Sequence, residues 1–281
     1  MCTVGVIGLG LIGGSMALDL KRRGFASRTL GVEKDPVAAQ AALTIGLVDE
    51  VTDLEDCVRR SNLVVVAVPV GAAVRLLPWI LDRLAPGQVV IDVCSAKEQV
   101  CRAVAGHPRR GQFVSTHPMA GTEYSGPWAA QPGLFDGHAC IFCDAEASAP
   151  EALQMVEKLY ATLNMRPIRL PSAQHDVHTA YVSHISHVTS FALALTVLDK
   201  EKDEKHIFDL ASGGFSSTVR LAKSNPDMWV PILTQNRKNV LQVMDTYIEK
   251  MQEFRCAVQE GDEVRIRELI QEANKIKKII R

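Results

Sequence analysis

Apolar positions recur with period two and period 3.6 in alternation through the first 170 or so residues, and with the helical period alone beyond Pro171. The period-two runs predict strands over 3–8, 29–33, 62–68, 88–93, 112–116, 138–143 and Arg166–Leu170. Helical spacing fills the gaps over 11–23, 36–45, 72–84 and 150–163. The run from Leu63 to Val68 is apolar at every position, as expected of a parallel strand with helices on both faces. A doubly wound α/β domain is therefore predicted over 1–171. An all-helical domain should follow over 172–281, with helices at 173–200, 226–259 and 262–280 and a break at 212–217. Asn225-Pro226 fits a helix start, with Asn as cap and Pro at the first helical position.

The first strand opens into Gly8-Leu9-Gly10-Leu11-Ile12-Gly13, a G-x-G-x-x-G turn at the start of a helix. Gly8 would make the tight turn, Gly10 would let the backbone approach a pyrophosphate, and Gly13 would let the helix pack close to its strand. N–H groups around Leu9, Leu11 and Ile12, at the positive end of the helix dipole, would hold the phosphates. The second strand ends in Glu33, twenty positions beyond Gly13, where a carboxylate can accept hydrogen bonds from ribose hydroxyls and repel a 2′-phosphate. The cofactor expected is thus NAD over NADP, although Lys34 pulls the other way. The bland alternative is a helix entered through glycines with no ligand.

With 281 residues, 47% hydrophobic and 22% charged, the chain can bury the cores of two domains. Lys and Arg number 31 against 32 Asp and Glu, so no nucleic-acid partner is expected. The basic C-terminal run from Lys275 reads as a solvated last helical turn. The first strand starts two residues after Met1 and no uninterrupted apolar run reaches about 18 residues, which points to a cytoplasmic protein with no membrane segment. Seven scattered cysteines fit reduced thiols, and Cys140 and Cys143 would face opposite sides of a strand, so no metal is expected there. The apolar stripes of the C-terminal helices suit a homodimer, although a monomer closing them on the sheet would use the same stripes.

Ligands of doubly wound sheets sit beyond the carboxyl ends of the strands. Two polar residues fall there, Ser95 after the fourth main strand and His117 after the fifth. His117 precedes Met119-Ala120-Gly121-Thr122-Glu123, a loop of small and hydrogen-bonding residues, so an imidazole there could act as an acid or base. Ser95-Ala96-Lys97-Glu98 also fits a capping box. On a straight helix His175 and His178 face the opposite side from His184 and His187, which argues against one four-histidine metal site. His184 and His187 either line a polar pocket or are satisfied core histidines. Arg220 could grip a carboxylate bidentately, or form a surface ion pair.

The glycine turn, Asp92-Val93-Cys94-Ser95-Ala96-Lys97, Thr116-His117-Pro118-Met119-Ala120-Gly121-Thr122-Glu123, Val182-Ser183-His184-Ile185-Ser186-His187 and Gly213-Gly214-Phe215 followed by Arg220-Leu221-Ala222 occur in that order. In this the chain resembles the prephenate/arogenate dehydrogenases of tyrosine biosynthesis. The resemblance implies oxidative decarboxylation: hydride leaves a cyclohexadienol C4 for NAD(P)+, the ring carboxylate departs as CO2, and a phenol forms. It implies that His117 takes the hydroxyl proton, that Ser95 joins its network, that Arg220 binds a substrate carboxylate, and that His187, His184, Thr122 and Glu123 line the site. Cys94 stands where the family often has Gly, and the loop near Ser217 lacks an acid some members carry. With no regulatory domain expected after the helices, inhibition by tyrosine would act at the active site. Arogenate's ammonium would want a carboxylate, and none shares the helical face of His184 and His187, so prephenate is the expected substrate, with Glu123 the acid that could reverse this. Arogenate dehydrogenation, another two-domain dehydrogenase or imine reductase, and a non-enzymatic NAD-sensing dimer are the competing readings.

Overall fold

The computed structural model describes residues 2–202 and 206–279. Eight strands form one sheet: β1 (Thr3–Ile7), β2 (Arg28–Val32), β3 (Glu50–Val51), β4 (Leu63–Val66), β5 (Val89–Asp92), β6 (Phe113–Pro118), β7 (Ala139–Cys143) and β8 (Arg166–Leu170). Their order is β3-β2-β1-β4-β5-β6-β7-β8. All neighbours are parallel except β6 and β7, whose antiparallel pairing turns β7 and β8 around. Strand direction leaves no trace in apolar periodicity, so this reversal was not foreseen. Nor was β3, because two residues carry no period.

Helices α1 (Leu11–Arg22), α2 (Pro36–Thr44), α3 (Leu54–Arg60), α4 (Val70–Leu81), α5 (Glu98–Val104) and α6 (Pro150–Thr162) accompany the sheet. The uniformly apolar β4 now has a cause. Leu63 and Val65 enter the core shared with Met16, Leu20, Val156 and Tyr160, whereas Val64 and Val66 enter the core shared with Leu77, Ile80, Val100 and Phe113. Each such side chain taken fully out of water contributes roughly 1.5–3 kcal/mol, so both helical layers are held by one strand. The edge strand β8 is mostly exposed and carries Pro167, Arg166 and Arg169, which discourage further strand pairing. Because β1 pairs with β2 on one side and β4 on the other, the strand order reverses beside β1, and the crevice at its carboxyl end is the natural ligand position.

Beyond β8 the described chain is helical. Helices α7 (Ser172–Thr179) and α8 (Ile185–Glu201) are joined by a π turn, Ala180–His184. Then come α9 (Gly213–Thr218), a 3₁₀ turn at Arg220–Lys223 and α10 (Pro226–Gln235). Asn225 caps α10 as the sequence suggests, its side chain accepting from the Asp227 amide at 2.8 Å. The segment 212–217, read as a break, already contains most of α9. The expected helix 226–259 is instead two helices that part at Asn236, a residue buried with its side chain in the interior. The chain divides into two compact units after Asn236. The second holds α11 (Arg237–Glu260), α12 (Glu263–Ala273), capped by Asp262, and a 3₁₀ turn at Asn274–Lys278. The expected helix end at Ile280 lies outside the described residues.

The continuous helix Ser172–Glu201 is long and apolar enough by length and composition to cross a bilayer, with mean hydropathy 1.3. It also carries His175, Asp176, His178, His184 and His187, of which His175, Asp176 and His184 are buried against protein. Such groups are costly in hydrocarbon, so the buried part of the helix is read as belonging to a folded protein interior. Leu195 and Leu198 on the same helix are exposed.

Gly8 has φ +95°, and a Cβ there would stand 2.4 Å from the Ala67 carbonyl oxygen. Gly8→Ala should lower stability by about 1–3 kcal/mol, the usual cost of such strain, read as a fall in Tm. Gly10→Ala, whose added Cβ meets nothing within 4 Å, should leave Tm unaltered. Equal melting of both variants would overturn this steric assignment.

Candidate active site

At the glycine turn, sterics separate the three glycines. Gly8 makes the turn in the left-handed region and donates to the Val32 carbonyl at 2.8 Å. A Cβ on Gly13 would fall 2.0 Å from the Gly8 oxygen, whereas Gly10 faces open space. Helix α1 follows Gly10, which offers no side-chain cap, and has no acid in its first turn, which leaves the Leu11, Ile12 and Gly13 amides without intrahelical acceptors. The Leu9 side chain is core, and its amide is taken by Glu33 Oε2 at 3.1 Å. Glu33 Oε1 accepts from the Lys34 and Asp35 amides at 2.8 and 3.2 Å, so its carboxylate is fixed beside the turn. An open backbone at Gly10, an uncapped helix start and a tethered carboxylate suit the phosphates and a ribose of a dinucleotide.

Further along the sheet, β5 and β6 end in a polar cluster. Lys97 is fully buried and donates to Asp92 Oδ2 and to the Thr116 carbonyl, the latter at 2.6 Å. Asp92 also accepts from the Cys94 amide at 3.0 Å and the Ser115 hydroxyl at 3.2 Å. His117 lies within β6 near its carboxyl end and is 8% exposed. Its Nδ1 is 2.8 Å from His175 Nε2 on α7, and His175 Nδ1 is 2.8 Å from Asp176 Oδ1. No partner for His117 Nε2 is found among the described residues. Asp176 also accepts from the Lys97 amide at 2.7 Å and the Glu98 amide at 2.9 Å.

Charge is managed closely here. Burial holds His117 well below the ordinary histidine range, helped by the neighbouring His175, Lys97 and His184. His175 is also lowered by burial, although Asp176 opposes this. Burial brings His184 down to about 4. Burial works against the Lys97 ammonium too, but the adjoining Asp92 carboxylate opposes it and its pKa is raised. The cluster therefore presents neutral imidazoles above one buried ion pair.

The remaining candidate residues lie in the π turn (His184), in α8 (His187), in the loop after β6 (Thr122 and Glu123) and at the start of a 3₁₀ turn (Arg220). His187 is half-buried, stacks on Trp229 with ring centroids 3.4 Å apart, and bonds through Nδ1 to the Ser183 carbonyl at 3.0 Å. His184 Nδ1 accepts from Asn236 Nδ2 at 3.2 Å; its buried Nε2 makes no well-formed hydrogen bond, with only a weak pull from the Ser95 main chain. Arg220 is half exposed and donates to Glu123 Oε2 at 2.9 Å. Thr122 accepts from the Tyr124 amide at 3.3 Å.

Several sequence expectations are corrected by this geometry. Ser95 does not cap α5. That helix starts at Glu98, and the open amides of Lys97 and Glu98 are satisfied by Asp176 from α7. The Ser95 hydroxyl makes no hydrogen bond among the described residues, to His117 included. The 100° helical wheel placed His175 and His184 on opposite sides, but both join one cluster, because the π turn between them adds a residue and resets the phase. His178 stays exposed. Lys97, His175, Asp176 and Asn236 were not foreseen as site residues; a lysine next to an expected active-site serine was the available signal. Among the described residues no group of three or more His, Cys, Asp or Glu is placed to hold a metal.

Comparison with known proteins bears on the same residues. A family model described as the nucleotide-binding domain of prephenate dehydrogenase matches residues 16–169, and one described as its dimerization domain matches residues 171–272. A prephenate dehydrogenase from Bacillus subtilis is 31% identical over 92% of this chain and 71% of its own length. A cyclohexadienyl dehydrogenase from Zymomonas mobilis is 31% identical over 92% of this chain and 90% of its own length. The crystal structure of prephenate dehydrogenase from A. aeolicus in complex with hydroxyphenyl propionate and NAD+ superposes with TM-score 0.86 at 27% identity, covering 99% of this chain and 98% of that one. With both domain models matched in order and both relatives aligned over 92% of this chain, the chain belongs to the prephenate dehydrogenase family.

Proposed function

We propose that the chain is an NAD-dependent prephenate dehydrogenase, converting prephenate to 4-hydroxyphenylpyruvate by oxidative decarboxylation in the cytoplasm. Residues 1–171 would bind the dinucleotide, and residues 172–281 would supply substrate-binding and dimer surfaces. The observation that carries the reading is His117: a neutral imidazole at the carboxyl end of β6, with an unpartnered Nε2, in a chain whose glycine turn fits a dinucleotide. Bound NAD+ would accept the hydride from C4. The α1 start would hold the phosphates through Leu11, Ile12 and Gly13, and Glu33 would hold a ribose. His117 takes the proton of the C4 hydroxyl, which a neutral base can do without prior deprotonation. Ser95 has a free hydroxyl for that oxygen. Arg220 spends one donor on Glu123 and keeps others for a substrate carboxylate. His187, stacked on Trp229, and Thr122 complete the lining, with His184 edge-on to the same Trp229 ring.

One observation favours prephenate over arogenate. Arogenate's ammonium needs an unspent carboxylate, yet Glu123 is paired with Arg220 and Asp176 accepts from three donors. Tyrosine, a phenol with a carboxylate, would compete at this same site.

An absorbance assay for reduced nicotinamide tests the reading, with NAD+ or NADP+ against prephenate or arogenate. Reduction should be fastest with NAD+ and prephenate. Silence in all four combinations, with NAD+ binding confirmed, would sink the enzymatic reading in favour of a sensing role. His117→Asn should lower kcat by about 10²–10⁴, the range for loss of an acid–base group, with Tm and NAD+ affinity kept; full turnover would remove His117 from the chemistry. Arg220→Ala should weaken substrate binding by about 1.5–3 kcal/mol, as for a lost charge-assisted contact, seen as a higher KM with kcat less affected. An unaltered KM would remove Arg220 from the site.

The buried imidazoles also predict a pH response. Their folded pKa values lie below the unfolded value, so the unfolded chain takes up protons that the fold refuses. Stability is complete above about pH 6.5 and falls as pH drops toward the folded value of about 4 for His184, by about 1.4 kcal/mol per pH unit for each resisting histidine. Denaturant melts between pH 7.5 and 5 read this directly; unchanged midpoints would show that the imidazoles protonate in place.

A further inference from the structure

We propose that Asp176 and His175 act as a tautomer clamp on His117, obliging it to carry its hydrogen on Nδ1 and present a lone pair at Nε2. The inference rests on the reading of His117 as the base and goes beyond it to what prepares that base.

The argument is one of donors and acceptors. Asp176 receives hydrogen bonds from two backbone amides, those of Lys97 and Glu98, which can only donate. Its side chain is buried and its Oδ1 also faces His175 Nδ1 at 2.8 Å, so that nitrogen must carry a hydrogen. A neutral imidazole protonated at Nδ1 has its lone pair at Nε2. His175 Nε2 stands 2.8 Å from His117 Nδ1, with the rings edge to face at 5.0 Å, so His117 must donate through Nδ1. The lone pair of His117 then falls on Nε2, where no protein partner is found among the described residues. The opposite arrangement would point a ring lone pair at the Asp176 carboxylate.

The clamp is also held in place. The amides bound by Asp176 open α5, just after the loop that carries Ser95, so one carboxylate ties α7 to that loop. Asn236 donates to the Asp176 carbonyl at 2.7 Å and fixes the backbone from the other side. His175 and Asp176 are positioning residues: they touch no reacting atom and act through His117.

The test uses the full chain with ¹⁵N-labelled histidine at about pH 7.5, where an unperturbed imidazole is mostly neutral. His117→Asn identifies the His117 signals. The wild-type spectrum should show His117 with Nδ1 protonated and Nε2 bare; a proton on Nε2 overturns the proposal whatever the activity. His175→Leu, which removes the acceptor, should lower kcat about 10- to 100-fold with KM changed less than about twofold, and should leave His117 a mixture of tautomers. His175→Gln, whose amide oxygen can accept from His117, should regain most of that loss. Full kcat in His175→Leu, or lost kcat with the His117 tautomer unchanged, also overturns the clamp. Should the leucine variant fail to fold, the wild-type spectrum and the glutamine variant still decide. A wild-type enzyme silent on prephenate removes the functional reading alone, since the spectrum judges the clamp independently.

Discussion

One buried ammonium holds the catalytic edge of the sheet together. Lys97 reaches back from the start of α5 to Asp92 at the end of β5 and to the Thr116 carbonyl in β6. Taking such a pair out of water costs several kcal/mol per ion, and the attraction offsets this only when the remaining lone pairs are satisfied. Here Ser115 and the Cys94 amide satisfy Asp92. Ser95 and His117 therefore leave from strand ends that cannot shift independently. A buried pair of this kind is weak evidence for stability; what it does here is join the end of β5 to β6 through one side chain.

The same ammonium adds to the electrostatics above it, where burial is the larger effect. Burial is the main reason that His117, His175 and His184 stay uncharged, and Lys97 adds to it for the first two. An imidazole that is already neutral would be available as a base over a wide pH range, at the expense of proton affinity. Aromatisation of the substrate and loss of CO2 supply the driving force that a weak base lacks. Asp176 does not reverse this, because its negative charge is spread over two amides as well as His175.

Much of this arrangement was legible in the sequence. The strand and helix alternation, the glycine turn and Glu33 follow from local rules, since backbone sterics and helix dipoles act over a few residues. His117 was legible because the fold class says where ligands sit. What escaped depends on distant contacts. Asp176 caps a helix 78 residues away in sequence, and no capping rule that reads neighbours can find it; Ser95 was credited with that task instead. Lys97 looked like part of a solvated capping box because its burial depends on Asp92 and on a neighbouring strand. The reversal of β7 escaped for the same reason.

The two irregularities of the helical part are connected. A π turn costs hydrogen-bond quality, and a helix interrupted at Asn236 forgoes continuity, so each needs a compensating contact. Without the extra residue of the π turn, His184 would face away from His175 and could not meet Asn236. Without the break, the Asn236 side chain would be one more exposed position on a long helix. Together they bring Asn236 to His184 Nδ1 and to the carbonyl of Asp176, the residue whose carboxylate holds His175. Helical regularity is given up where the polar cluster has to be closed, which is why a straight helical wheel misplaces these histidines.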